Sequence, residues 1–241
     1  MRYGILSDIH GNFEALQTVV GLYRDEHVEN FLCLGDIVGY GANPKECIDM
    51  IRELKAICIA GNHDWAVSGK LDPVYFNSVA KEAVLWTQKQ LSSEDMNFLN
   101  NLGLVFKNDD LILAHGTLNE PELFHYIFHL ADATETFHLM DRSICFIGHT
   151  HAPNIIIQKE DRARCGEALK VNVDPRWKHI VNVGSVGQPR DRNPMATYSI
   201  YDTDTRIVEV KRTSYDIQTA QEKILKAGLP VFLAERLAVG R

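Results

Sequence analysis

Five short stretches of this chain carry the residue types that bind divalent metal ions. They are Asp8-Ile9-His10, Gly35-Asp36, Gly61-Asn62-His63-Asp64, Ala114-His115-Gly116 and Gly148-His149-Thr150-His151. Together they offer carboxylate oxygens, an amide oxygen and imidazole nitrogens, the donors that hard-to-borderline divalent ions take. Two such ions held side by side are a standard means of hydrolysing phosphate esters. The ordered set carries this reading, because each piece alone has a plainer explanation.

Asp8 and His10 straddle one residue, so both side chains can reach one point beyond a strand, but an aspartate there also suits a helix cap. Asp36 shares that ambiguity. A carboxylate at its place is suited to bridging two cations, one oxygen to each. In Gly61-Asn62-His63-Asp64 the amide of Asn62 is a neutral ligand, and the adjacent His63 points elsewhere. His63 suits proton donation to a leaving oxygen. Asp64 either orients that histidine or caps a helix. His115 alone reads as a structural histidine more readily than as a ligand. His149 and His151, one residue apart, can feed two neighbouring ions. His125 and His129 have the spacing of a helical zinc pair but lack the glutamate of H-E-x-x-H, and read as helix-surface or core-edge residues. His27, His138 and His179 have no partner pattern.

Each cluster must be delivered by an element, and the hydrophobic pattern supplies one. Tyr3–Leu6 reads as a strand ending at Asp8, and Asn12–Tyr23 carries apolar residues at helical spacing. The unit recurs with a strand at Phe31–Leu34 and a helix at Pro44–Leu54, then with a strand at Ala56–Ala60. Alternating strands and helices predict parallel pairing, with chemistry at the carboxyl ends of strands. Residues 66–102 read as a helical insert of two or three helices, broken at Leu71-Asp72-Pro73 and Ser92-Ser93. Leu111–Ala114 and Ser143–Ile147 are strands that deliver His115 and Gly148, and Asp132–Met140 is helical. The later style is antiparallel, with strands at Asn154–Gln158, Ala168–Val173, His179–Val183, Ala196–Tyr201 and Ile207–Arg212. Lys159–Glu167 reads as a solvated hairpin tip. Ile217–Ala227 is a helix stopped by Gly228, and Val231–Val239 is a further short one.

The bulk numbers suit one globular domain over residues 1–241, with 45% hydrophobic and 24% charged residues. A net charge of −7 argues against a nucleic-acid coat, which needs a basic surface. It leaves room for a small phosphorylated substrate, since bound metals reverse the local field. The five cysteines include no C-x-x-C pair, and Cys33, Cys58 and Cys145 sit inside apolar runs. They read as buried thiols of a reducing compartment. With no signal peptide and no apolar run of about 20 residues, a cytoplasmic protein without membrane contact is expected.

The ordered set resembles the calcineurin-like metallophosphoesterase superfamily, whose pattern is D-x-H, G-D, G-N-H-[DE], H and G-H-x-H. Nothing in that pattern is missing. Two longer stretches, Gly35-Asp36-Ile37-Val38-Gly39-Tyr40-Gly41 and Asn182-Val183-Gly184-Ser185-Val186-Gly187-Gln188-Pro189-Arg190, are similar to a small bacterial and archaeal phosphodiesterase branch related to diadenosine tetraphosphatases. The resemblance implies an α/β fold, a four-layer α/β/β/α sandwich with two mixed β-sheets. It implies that Asp8, His10 and His151 hold one metal, that Asn62, His115 and His149 hold another, and that Asp36 bridges them. It assigns Asn12 and His63 to the substrate phosphate, with in-line attack by a hydroxide between the metals. The absence of thiolate ligands favours Mn²⁺ or Fe and admits Zn²⁺. Arg190 and Arg192 suit a phosphate or base grip, against a structural hairpin with exposed arginines. Tyr40 either stacks on a base or packs on its own loop. The implied substrate is a phosphodiester, nucleotide or dinucleoside polyphosphate. Some members, such as the retromer subunit, keep the fold as inactive scaffolds, which is the alternative.

Overall fold

The computed structural model describes residues 1–160, 162–166 and 169–241. It contains two six-stranded mixed sheets. In the first, β1 (Arg2–Leu6) is central. It pairs in parallel with β2 (Asn30–Cys33), which pairs in parallel with β3 (Ile57–Cys58). In the second, β4 (Val105–Lys107) pairs antiparallel with β5 (Ile112–Ala114), and β6 (Ile144–Ile147) runs parallel to β5. The sheet continues through β7 (Asn154–Lys159) and β8 (Arg162–Gly166). The first sheet regains β9 (Lys170–Asn172) at its far edge, while β10 (Lys178–Asn182) lies between β6 and β7. Two antiparallel strands, β11 (Ala196–Asp202) and β12 (Ile207–Thr213), link β1 to β9 in the first sheet.

The period-two alternation of strands sorts side chains into three apolar layers. Ile5, Leu32 and Leu34 meet Leu113, Ile144, Phe146 and Val181 between the sheets. Leu6 and Cys33 point the other way, onto α1 (Phe13–Asp25) and α2 (Pro44–Glu53). Ile112, Ala114, Cys145 and Ile180 face outward from the second sheet, onto Phe137 of α6 (Thr134–Leu139). The result is the expected α/β/β/α sandwich. Buried on both faces, β1, β5 and β6 carry continuous apolar runs.

The expected insert over residues 66–102 takes the end of α3 (Asn62–Ser68), which begins with the third cluster, and forms α4 (Ser78–Gln88) and α5 (Ser93–Asn100). Its breaks have local causes. Asp72 accepts from Val74 N at the start of a 3-10 turn, and Ser92 and Asp95 form a capping box that starts α5. At the carboxyl end, α7 (Ile217–Lys226), α8 (Val231–Glu235) and the 3-10 turn after it pack Ile224, Leu233 and Leu237 against Tyr40 and the alanines of α4.

Three expectations need correction. The third strand is only Ile57–Cys58, not Ala56–Ala60, because it lies at the sheet edge, with Ile57 exposed and Cys58 only half-buried. Lys159–Glu167 is not a hairpin tip: Arg162–Gly166 pairs antiparallel with Asn154–Lys159 as an edge strand, and its charged side chains mask the strand pattern. Asp161 and Glu167 of that span lie outside the described residues. So does Ala168 of the expected Ala168–Val173 strand, which pairs over Lys170–Asn172. Among the described residues no helix is long and apolar enough to cross a membrane.

Candidate metal centre

The parallel strands of both sheets end at one place. β1 delivers Asp8 and His10, β2 delivers Asp36, and the turn after β3 delivers Asn62 and His63. From the second sheet β5 delivers His115, and β6 delivers His149 and His151. The chain turns sharply here. Asp8, His10, Asp36, His149 and His151 all adopt left-handed backbone with φ of 51° to 66°. Such conformations cost about 1–3 kcal/mol each and persist only where surroundings enforce them. Enforcement comes from backbone pairs between loops: Asp8 N to Gly35 O, His10 N to Asp36 O and Gly11 N to Ile37 O.

Asp8, His10, Asp36 and His151 form one buried group, and Asp36, His115 and His149 a second, with donor atoms in each within 4.8 Å of one another. Asp36 belongs to both. Its Oδ2 lies 3.6 Å from His10 Nε2 and 3.4 Å from His115 Nε2. Its Oδ1 instead accepts from the His63 backbone N–H at 2.8 Å. One oxygen therefore faces both groups, which corrects the expectation of one oxygen for each.

The histidines are oriented from behind. The Nδ1–H of His10 donates to Val38 O, that of His115 to Leu34 O and that of His151 to Gln188 O, at 3.1, 2.7 and 2.6 Å. This tautomer aims an Nε2 lone pair at the centre, as in metal-binding histidines. His10 Nε2 and His151 Nε2 then face each other at 3.0 Å, and His115 Nε2 faces His149 Nδ1 at 3.1 Å. Lone pairs so opposed repel unless a proton or cation lies between them. Asp8 Oδ1 and Asn62 Oδ1 are buried with no hydrogen-bond partner, although buried acceptors are normally paired. These orphaned donors fit a divalent ion, and with nitrogen and oxygen atoms only they fit Mn, Fe or Zn better than a thiophilic metal.

The charges agree. Burial raises the carboxyls of Asp8 and Asp36, but the surrounding imidazoles, His151 for Asp8 and His115 for Asp36, hold both well below the usual range. Burial depresses His10, His149 and His151. At His115 burial is outweighed by Asp36 and Asp8, which push it up to about 9, so a cation taking its Nε2 would have to displace a proton held there.

His63 borders the same cleft without joining either group. Its ring lies 4.4 Å from that of Tyr40 and 4.9 Å from Phe76, centroid to centroid. Burial, with Arg190 adding to it, holds its pKa down to about 4, so the imidazole is neutral at neutral pH. Gly39, at φ +91°, leaves room for it, since a Cβ there would come 2.5 Å from His63 Nδ1.

Two expected roles do not survive. Asp64 does not orient His63, whose Nδ1 has no partner. Its carboxylate accepts the backbone N–H groups of Asp36, Ile37, Val38 and Gly61 and so clamps the loop that carries Asp36. Burial and the Asp36 charge push Asp64 up to about 7, while those amides pull against them. Asn12 does not face the cleft. It caps α1 by accepting from Ala15 N, and its amide donates to Gly187 O and Tyr215 Oη.

Arg190 lines the cleft, held by Gln188 Oε1 at 2.8 Å and lying over the Tyr40 ring at 5.6 Å. Arg192 is exposed and away from the cleft lining, whereas Tyr40 is buried against the carboxyl-terminal helices and the alanines of α4, with part of its ring at the cleft wall. His125 and His129 lie on no helix. They sit exposed in an extended loop after a 3-10 turn. His179 is buried on Ser143 O, while His27 and His138 lie away from the centre.

Several supporting residues carried no spacing signal. Ser7 Oγ and the His149 N–H both donate to Asp8 Oδ2, and Ser185 Oγ donates to Asp8 O. Tyr126 stacks on His149 at 3.8 Å and 12°. Its position between two discounted histidines was the only hint.

Residues 1–206 match the model of the calcineurin-like phosphoesterase superfamily domain. An uncharacterized protein of Methanocaldococcus jannaschii is 40% identical over 98% of this chain and 97% of its own. The crystal structure of a metallophosphoesterase from Sphaerobacter thermophilus superposes with TM-score 0.89 at 37% identity, covering 100% of this chain and 99% of that one. A hypothetical protein of Pyrococcus horikoshii shares the fold, with TM-score 0.82 at 20% identity over 100% and 98% of the two chains. The chain belongs to the calcineurin-like phosphoesterase superfamily.

Proposed function

We propose that this protein is a metal-dependent phosphoric ester hydrolase with a two-ion centre. The observation that carries the reading is the pair of buried His/Asp groups joined at Asp36, with the unpaired oxygens of Asp8 and Asn62 beside them. Asp8, His10 and His151 would hold one ion, Asn62, His115 and His149 the other, and Asp36 both. When bound, such ions polarise the phosphoryl group and lower the pKa of water enough to supply a nucleophile at neutral pH.

The chain's own residues supply position and shelter. Carbonyls behind the three histidines fix their rings. Asp64 fixes the Asp36 loop through four amides. Arg190 presents a guanidinium to a phosphate oxygen, where its planar fork suits the anion. His63 enters as a neutral ring whose N–H hydrogen-bonds the departing oxygen.

The test is a panel of phosphodiesters and monoesters, beginning with bis-p-nitrophenyl phosphate, assayed with Mn²⁺, Fe²⁺ and Zn²⁺ in turn. Metal-dependent release of nitrophenol is expected. A folded, metal-loaded protein inert across the panel would favour the scaffold reading instead.

A further inference from the structure

The cleft above the centre holds about 540 Å³, and its walls differ sharply from its floor. The floor is the polar set of Asp36, Asn62, His149 and His151. Two segments form the collar. One, Leu71–Asn77, packs Phe76 edge-on against His63 at 4.9 Å. The other, Glu122–Tyr126, lays Tyr126 flat on His149 at 3.8 Å. The collar therefore flanks the centre on both the His63 and the His149 sides. It is apolar yet uncovered: Tyr75 is 81% exposed, Leu123 55% and Tyr126 41%. Large apolar side chains left in water around a ligand cleft mark the part that the ligand covers.

Charge in the cleft is equally uneven. Among the described residues, Arg190 is the one lysine or arginine in its lining, and Glu122 places a carboxylate on the collar. A chain of several phosphates running along the collar past Glu122 would meet no second lysine or arginine in the described lining. A single phosphate satisfies the floor and Arg190 and leaves the collar for an uncharged, flat group.

We infer that the substrate is an ester of one phosphate carrying a planar aromatic group, a nucleoside or aryl alcohol, whose ring is seated on Tyr75 and Leu123. This deepens the hydrolase reading and rests on it for the position of the phosphate. Tyr75 and Leu123 become specificity residues, and Glu122 accepts from an amine or hydroxyl on the same group. A polyphosphate chain is selected against.

The experiment compares adenosine 5′-monophosphate with ribose 5-phosphate as inhibitors of bis-p-nitrophenyl phosphate turnover by the metal-loaded enzyme. The nucleotide is expected to bind about tenfold more tightly, in line with the worth of one stacked base. Tyr75→Ala should erase that preference, leave ribose 5-phosphate inhibition unchanged and be rescued by Tyr75→Phe. Equal inhibition by the two compounds, or equal weakening of both in Tyr75→Ala, overturns the aromatic seat. A higher kcat/KM for diadenosine tetraphosphate than for the adenylyl-adenosine diester overturns the single-phosphate selection. The same two inhibitors are also titrated by calorimetry against the protein. If no ester is turned over, the hydrolase reading fails, and calorimetry still reads whether the base adds affinity.

Discussion

At the scale of single residues, adjacent members of one motif do different work. Asn62 offers an unpaired oxygen to the centre, His63 borders the cleft, and Asp64 faces backward into four amides. Two variants separate these roles. His63→Ala should cut diester turnover by about a hundredfold or more, the usual worth of a positioned acid–base or hydrogen-bonding group. Its metal content, read by inductively coupled plasma mass spectrometry, should equal that of the parent, and loss of metal would make His63 a ligand. Asp64→Ala should do the reverse. Stripping the acceptor from buried amides costs about 1–3 kcal/mol for each group left unpaired, so the midpoint of thermal unfolding falls. Metal content falls with it as the Asp36 loop loosens.

These residues also show where legibility ends. The candidate ligands could be singled out because metal chemistry restricts them to a few residue types, and strands place them at predictable points. Asp64 and Asn12 occupy motif positions too, but what they touch is decided by backbone amides and carbonyls brought close by the fold. Asn12 meets Gly187 and Tyr215, both far along the chain. Tyr126 is the same problem from the other side, a contact with His149 that no spacing announces.

At the scale of elements, the buried strands and longer helices follow directly from hydrophobic periodicity, and the errors fall at edges. Arg162–Gly166 has one paired side and mostly exposed side chains, so no apolar alternation marks it. The loop carrying His125 and His129 mimics helical spacing, but it is anchored instead by the buried Phe124 and Ile127. The α1 helix yields a prediction at this scale. With Asn12 as its N-cap, Asn12→Ala should lower stability by about 1 kcal/mol, the typical cost of losing such a cap. KM for a diester should stay within about twofold, an effect too small to represent a lost phosphate contact of even ~0.5 kcal/mol. A large rise in KM with stability unchanged would return Asn12 to the substrate.

At the scale of the molecule, the centre sits on the seam between two sheets. Asp8 from the first sheet accepts from the His149 N–H of the second, and His115 of the second donates to Leu34 O of the first. Ions held there would join the sheets, and a ligand that binds only the folded state stabilises it by mass action. Adding Mn²⁺ to chelator-treated protein should therefore raise the unfolding midpoint by several degrees, about 3 kcal/mol at a hundredfold excess over the dissociation constant. The shift should vanish when Asp36→Ala removes the shared carboxylate. A midpoint indifferent to metal would place ion binding elsewhere.

The left-handed turns at Asp8, His10, Asp36, His149 and His151 bear on how the centre is assembled. Their conformations are enforced by loop-to-loop hydrogen bonds made entirely within the chain. If ions bind as proposed, these bonds would hold the turns whether or not an ion is present, and an ion would enter the centre more than shape it. Reloading an emptied centre would then depend on passage down the cleft beside Tyr126 rather than on refolding. Whichever metal the surroundings supply would then meet a receptacle of nearly fixed dimensions.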